Sequence, residues 1–229
     1  MEISVIIPTL NEAKTIEACL EAVGEDRRVE VVVCDGQSTD GTRDLAAVRG
    51  ARVFTSSPSR GLQLNRGAAE ASADRLLFVH ADCRLPAGWC DAMLEALADS
   101  KTSLACFWLR TEANDGGRAG PLRRFSLRIL DLRSRGLRLP YGDQGFAVRR
   151  EIFEAVGGFP DIPLMEDVVF ARSCKALGAI ARLPLEMRTG ARRFDTFPVS
   201  SRLVMLCFPL LFRLGVSPEV LARWYPEAR

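Results

Sequence analysis

Val5-Ile6-Ile7-Pro8-Thr9-Leu10-Asn11-Glu12 decides how the rest of this chain is read. The branched aliphatic run before Pro8 predicts a strand over residues 3–7 buried on both faces, the pattern of a parallel sheet. Asn11 is a candidate N-cap for a helix over roughly 12–23. Ligands of open α/β sheets sit beyond the carboxyl ends of the strands. Pro8, Thr9, Leu10, Asn11 and Glu12 therefore stand where a nucleotide is expected.

Outward from that stretch, two further apolar runs end in polar groups: Val31-Val32-Val33-Cys34-Asp35-Gly36 and Leu76-Leu77-Phe78-Val79-His80-Ala81-Asp82. Three strands that deliver polar side chains at one edge point to one assembled site. Strands at 29–34, 51–54 and 75–80 alternate with helices near 41–49, 61–72 and 87–98. That order predicts an α/β fold, a mostly parallel central sheet flanked by helices on both faces. The second half changes character. It reads as a strand at 104–110, a loop at 112–120, a basic amphipathic helix at 121–134 and a glycine-flanked turn at 141–145 leading into a strand. A short helix then closes at Gly157-Gly158, and another spans 166–177. Residues 203–214 are apolar but interrupted by Pro209. With no repeat and no low-complexity linker, residues 1–229 are expected to form a single domain. Its parts are a nucleotide-binding half (1–100), an acceptor and catalytic half (101–195) and an apolar, helical C-terminal extension (196–229).

Composition narrows the classes. The chain has 229 residues, 48% hydrophobic and 26% charged, ordinary values for a globular protein with a sizeable core. A net charge of +2 gives no global reason to expect nucleic acid. Its seven cysteines are odd in number and lack C-x-x-C or zinc-like spacing; Cys34, Cys106 and Cys207 lie within apolar runs. No signal-peptide pattern and no run of about 18 apolar residues is present, so a reducing, cytoplasmic setting is expected.

Several groups could do chemistry. Asp35 can accept a hydrogen bond from a nucleobase imide, and Gly36 lets a ligand approach the backbone. Glu12 and Asn11 could bond base or ribose, though Asn11 and Asp40 could equally serve only as helix caps. Arg60 just ahead of a helix could clamp phosphate, with Gln63 and Asn65 offering neutral hydrogen bonds. Asp82 is the metal candidate, since Mg²⁺ or Mn²⁺ accepts one carboxylate when a diphosphate supplies further oxygens. His80, the only histidine, is either a strand-end hydrogen-bonding residue or a ligand. Glu166-Asp167 at a helix start suits a general base. Asp143 and Gln144 could orient a second substrate, and Arg192 and Arg193 could contact a diphosphate.

These motifs together resemble the family 2 glycosyltransferases, which have a GT-A (Rossmann-like) fold, over roughly residues 1–195. The likeness rests on Pro8–Glu12, Asp35–Thr42, His80-Ala81-Asp82 and Met165-Glu166-Asp167, and Gly142-Asp143-Gln144 places it nearest a small bacterial branch. The resemblance implies inverting transfer of a sugar from a nucleoside-diphosphate donor, such as a UDP-sugar, to an acceptor hydroxyl. It assigns the nucleoside to Asp35 and Glu12, a divalent metal to Asp82, and the base to Asp167 or Glu166. One departure stands out: His80 occupies a metal-motif position where the family usually has an acid.

Other readings stay open. A nucleotidyltransferase would favour a glycine-rich, basic loop after the first strand, which Pro8–Glu12 lacks. A nucleotide-sugar-binding regulator would have no need of Asp82 with Glu166-Asp167. Segments 121–134 and 203–214 could rest on the inner, anionic face of a membrane; alternatively 203–214 packs on the sheet or on a second subunit as a homodimer contact.

Overall fold

The computed structural model describes residues 1–112, 127–128, 131–132, 134–135, 139–190 and 207–224. These form a curled eight-stranded sheet with helices on both faces. Its strands are β1 (Ile3–Thr9), β2 (Val29–Asp35), β3 (Arg52–Thr55), β4 (Arg75–Phe78), β5 (Cys83–Arg84), β6 (Thr102–Glu112), β7 (Phe146–Arg149) and β8 (Ala179–Gly190). They lie in the order β3-β2-β1-β4-β7-β6-β8-β5.

The first four strands are parallel, as their aliphatic composition predicts. Residue parity splits the core: Val5, Ile7 and Val33 face one hydrophobic layer, Ile6, Val32 and Cys34 the other. The first layer is closed by α1 (Ile16–Val23) and α4 (Trp89–Ala98). Helix α1 buries Ile16, Cys19, Leu20 and Val23, a 3.6-residue stripe. The second layer is closed by α3 (Arg60–Glu70) and α6 (Glu166–Leu177). There Phe159 stacks on Phe170 at 4.0 Å between centroids and meets Phe78 edge-on at 4.9 Å, which fixes where α6 begins. Among the described residues the other helices include α2 (Thr42–Val48), α5 (Arg150–Ala155) and α7 (Pro218–Trp224).

Chain order reverses at β1, with β2 on one side and β4 on the other, the switch point where an α/β sheet opens a ligand crevice. Beyond β4 the sheet is mixed: β7 is antiparallel to β4 and β6, while β8 runs parallel to β6. Strand β5 pairs antiparallel with β8 at the far edge. In a flat sheet β4 and β5 would lie about 19 Å apart, roughly the full reach of the linking residues. The curl brings the edges together and draws His80–Asp82 across the strand ends.

A buried acid braces the opposite edge. Glu30 accepts hydrogen bonds from the Ser4 and Ser72 hydroxyls and the Ser72 backbone N–H, and pairs with Arg52 at 3.0 Å. Burial works to raise its pKa, but these donors outweigh it and hold the carboxyl at about 2.

The structure adds β8 and β5, which the sequence reading left unassigned, and moves the start of α1. Asn11 is no N-cap: α1 begins at Ile16 behind Thr15, and Asn11 itself is left-handed, with φ of 55°. Most of the loop at 112–120 and of the helix at 121–134 falls outside the described residues. In the C-terminal extension, Phe208 and Leu221 pack on Met165 and Val168 at the start of α6, rather than on the sheet. Leu210 and Leu214 remain 59% and 72% exposed.

Candidate active site

The floor is built by two loops stitched together. After β1, the Asn11 N–H donates to Ser38 Oγ (2.8 Å), the Glu12 N–H to Thr42 Oγ1 (2.8 Å) and the Ala13 N–H to Asp40 Oδ2 (3.0 Å). In return the Thr39 N–H donates to Asn11 Oδ1 at 2.9 Å. Register pairs Thr9 with Asp35, and the Asp35 carboxylate accepts from the Thr9 hydroxyl (2.9 Å) and the Ser38 N–H (2.8 Å). Asp35 is fully buried, one layer behind Thr9, so a ligand would meet Thr9 first. The space beside Gly36 is filled from within: a Cβ there would stand 3.1 Å from Gln63 Nε2 and 3.2 Å from Pro58 Cα. The ligand approach expected at Gly36 is therefore taken by the chain itself.

Over this floor lies a cleft with about 330 Å³ of free space, within the size range of small-molecule sites. Pro8, Thr9, Leu10 and Glu12 line one side, Ser59, Arg60 and Gln63 the second, and His80, Ala81 and Asp82 the third. Asp161, Ile162 and Pro163 close the fourth, a wall that the sequence reading missed. The available signal was the Pro160-Asp161-Ile162-Pro163 punctuation just ahead of α6. Ser59 Oγ donates to Asp161 Oδ1 at 2.6 Å, tying that wall to the start of α3.

The acids of α6 have different environments. Glu166 is 2% exposed and paired with Arg60, Nη1 to Oε1 2.8 Å, while Arg60 reaches the cleft surface. Asp167 accepts the Gly142 N–H on Oδ2 and the Val168 N–H on Oδ1, both at 2.8 Å. Burial, then the neighbouring Glu166 charge, pushes the Asp167 pKa up to about 6, against the opposing pull of the Gly142 hydrogen bond and Arg60. Each carboxylate oxygen keeps a lone pair for another proton donor. Gly142 is needed here: a Cβ would stand 3.0 Å from His80 Nε2 and 3.4 Å from Asp167 Oδ2. Through that gap, Arg60, His80, Glu166 and Asp167 line one small crevice whose Arg60 and His80 also belong to the cleft.

Asp82 is half-buried on the cleft wall. Among the described residues, the side chain touching its carboxylate is the Cys83 thiol, at 3.7 Å from Oδ1. Among those residues, no cluster of three or more His, Cys, Asp or Glu could hold a metal by itself. One half-buried carboxylate on the cleft wall with His80 nearby suits a hard cation whose other ligands come from a diphosphate and water.

Other expected ligands are hydrogen-bonded within the chain in this structure. Asn65 spends its amide on Phe159, Nδ2 to the carbonyl and Oδ1 from the N–H, both 2.8 Å. Gln63 Nε2 donates to the carbonyls of Thr9 (2.7 Å) and Cys34 (2.8 Å), although the residue still lines the cleft. Gln144 is buried, with Nε2 on the Phe107 carbonyl at 2.9 Å and Oε1 accepting the Tyr141 N–H at 3.2 Å. It cannot face an acceptor. Asp143 lies beside the site, its carbonyl 3.8 Å from Cys83 Sγ. Arg192 and Arg193 fall outside the described residues. The described cysteines are all free thiols, and burial pushes Cys34, Cys106 and Cys174 up to about 12, so they act as apolar packing.

The cleft opens at the switch point of the sheet and, through Arg60 and His80, borders the crevice lined by Asp167. The chain belongs to glycosyltransferase family 2: the Glycosyl transferase family 2 model matches residues 4–157. It is 38% identical over 112 residues to the succinoglycan biosynthesis protein ExoA of Rhizobium meliloti, covering 44% of this chain and 34% of that protein. It thus spans about a third of ExoA's length. Glucosyl-3-phosphoglycerate synthase of Mycobacterium tuberculosis, solved with Mn²⁺, UDP and glucosyl-3-phosphoglycerate, superposes with a TM-score of 0.59 at 28% identity, covering 85% of this chain and 74% of that one. S. aureus TarS, solved with UDP-GlcNAc, shares the fold with a TM-score of 0.64 at 20% identity, over 84% and 59% of the two chains. These neighbours are GT-A glycosyltransferases, and the expected fold is the observed one. Among the described residues no helix is long and apolar enough to cross a membrane.

Proposed function

We propose that this chain transfers a sugar, with inversion, from a UDP-sugar to an acceptor hydroxyl, acting as a single domain. The observation that carries the reading is the continuity of the cleft, where Arg60 and His80 connect the nucleotide side at Thr9 and Glu12 to Asp167. The nucleoside rests on Pro8–Glu12, with Asp35 orienting Thr9 beneath it. Arg60 faces the diphosphate. Asp167, ionised above about pH 6, accepts the acceptor's hydroxyl proton. The freed oxygen forms its bond to the anomeric carbon opposite the breaking bond to phosphate, whose electron pair leaves with the nucleoside diphosphate. Asp82 would hold Mg²⁺ or Mn²⁺, with His80 alongside. When bound there, such a cation neutralises charge on the departing diphosphate. Support comes from the UDP and Mn²⁺ in the glucosyl-3-phosphoglycerate synthase structure.

Thermal-shift screening of nucleoside diphosphates and their sugars, with and without Mn²⁺, tests the donor. A UDP-sugar should raise the melting temperature by mass action. Asp167→Asn should keep that shift while losing donor hydrolysis and transfer. Loss of nucleotide binding together with activity would refute the assignment of Asp167 as base, and unimpaired catalysis would do so equally.

A further inference from the structure

On the far flank of Asp82 from the donor cleft, a second pocket of about 80 Å³ opens between the start of α1, β5 and the end of β8. Lys14, Arg84 and Arg188 line it, with Glu112 and Asp82. The pairing of the strands explains the concentration of positive charge. Two-residue β5 meets β8 with Arg84 directly opposite Arg188, and on its other side Arg188 is in register with Arg110 of β6. A row of three arginines therefore crosses three adjacent strands. Like charges directly opposite each other destabilise a sheet. Arg110 is drawn off by Glu186 at 3.4 Å, and Arg188 reaches Glu112 at 3.4 Å with both side chains well exposed, a loose pair that compensates little. Among the described residues, neither Lys14 nor Arg84 has an acidic partner. Joining β5 to β8 needs only their backbones, so nothing in the ladder calls for arginine at both positions.

We propose that this pocket binds a phosphate or carboxylate group carried by the acceptor substrate. The pocket is the size of such a group and too small for a nucleoside, and the donor cleft on the other side of Asp82 has its own cation in Arg60. The acceptor class is therefore anionic, a phosphorylated or acidic hydroxyl compound. This deepens the transferase reading and rests on it.

The test uses glycerol 3-phosphate as probe and glycerol as its neutral control, titrated against the full chain by thermal shift and calorimetry, with and without saturating UDP and Mg²⁺. Glycerol 3-phosphate should bind the UDP-loaded protein saturably and glycerol should not. The Lys14→Gln/Arg84→Gln double variant should lose at least tenfold in that affinity while its UDP affinity stays within twofold. Arg84→Gln alone should raise the melting temperature of the ligand-free protein by ~1–3 °C, because it removes the opposed charge. The proposal is overturned if glycerol 3-phosphate fails to bind UDP-loaded protein, or if the double variant loses UDP binding in parallel. The latter would assign these cations to the donor's own diphosphate. A drop in melting temperature for Arg84→Gln would also overturn it. Should the wild-type protein fail to bind UDP, the donor reading falls, while probe binding to nucleotide-free protein and its loss in the double variant still decide the pocket.

Discussion

Replacing Glu166 by Gln removes a negative charge beside the proposed base while keeping an oxygen for Arg60. In the native protein Asp167 is lifted from 3.8 to about 6, first by burial and second by Glu166. Two carboxylates on adjacent residues stand roughly 6–8 Å apart, and at an effective dielectric constant near 20 their repulsion is ~2–3 kcal/mol. That corresponds to about one to two pH units. The sign follows from which form is charged. With Glu166 gone and Arg60 still present, ionised Asp167 becomes easier to form, so its pKa falls. The rate of donor hydrolysis, measured as kcat from pH 4.5 to 8.5 at saturating donor and Mg²⁺, should fall off below about pH 6 in the native enzyme. In Glu166→Gln that acid limb should move down by about one to two pH units, and the plateau should drop about three- to tenfold because the base is weaker. An acid limb that stays in place or moves up would show that the titrating base is not a carboxylate facing Glu166.

Four further outcomes follow from named contacts. Gly142→Ala places a methyl 3.0 Å from His80 Nε2, so kcat should fall about tenfold or more while the melting temperature stays within a few degrees. Asn65→Ala abandons two backbone groups of Phe159 and should cost ~2–3 kcal/mol in urea unfolding, with UDP affinity within threefold of native. Asp82→Asn should abolish the Mg²⁺-dependent part of UDP affinity in calorimetry and leave the metal-free part intact. Glu30, held at about 2 against an ordinary 4.5, contributes ~3 kcal/mol that is present above pH 4.5 and lost as the pH falls toward 2. Glu30→Gln should therefore narrow the stability gap from native as denaturation curves are taken from pH 7 down to pH 3.

The nucleotide half was legible because one signal does two jobs there. Aliphatic runs such as Val5-Ile6-Ile7 specify doubly buried parallel strands, and the polar residues where they stop mark the sheet edge. The far edge lacked that signal. Strand β8 does alternate, with Ala181, Leu183, Leu185 and Met187 between Arg182, Pro184, Glu186 and Arg188, but Pro184 in the middle of the run argues against a strand and hides the signal. Strand β5 is two residues long, below the length at which any pattern can form, and exists because the sheet curls. The site itself was readable as a location more than as a list of roles. Asn11, Asp40, Asn65 and Gln144 carry the same side-chain groups as true ligands, but each bonds a backbone N–H or carbonyl that the folded loops would otherwise leave unsatisfied. Sequence cannot tell a strut from a ligand, because the partner that decides is a backbone group placed by tertiary structure.

The same division explains how so polar a cleft can be ready for a charged guest. Groups that shape the loops have their hydrogen bonds already made, so they need no rearrangement when a ligand arrives. Among the described residues, the groups facing the cleft and crevice stand on different elements: Thr9 at the end of β1, Arg60 on α3, Asp82 after β4 and Asp167 on α6. Fixing these through Asp35, Glu166, Cys83 and Gly142 places the ordering cost in folding instead of binding. Disturbing a residue of that second set should therefore change rate and pH dependence before it changes nucleotide affinity. For Asp35→Asn, where the Thr9 hydroxyl keeps an acceptor but the Ser38 N–H contact is weakened, kcat should fall further than Kd for UDP rises. Equal loss in both would mean that Asp35 meets the nucleotide directly and that Thr9 moves aside on binding.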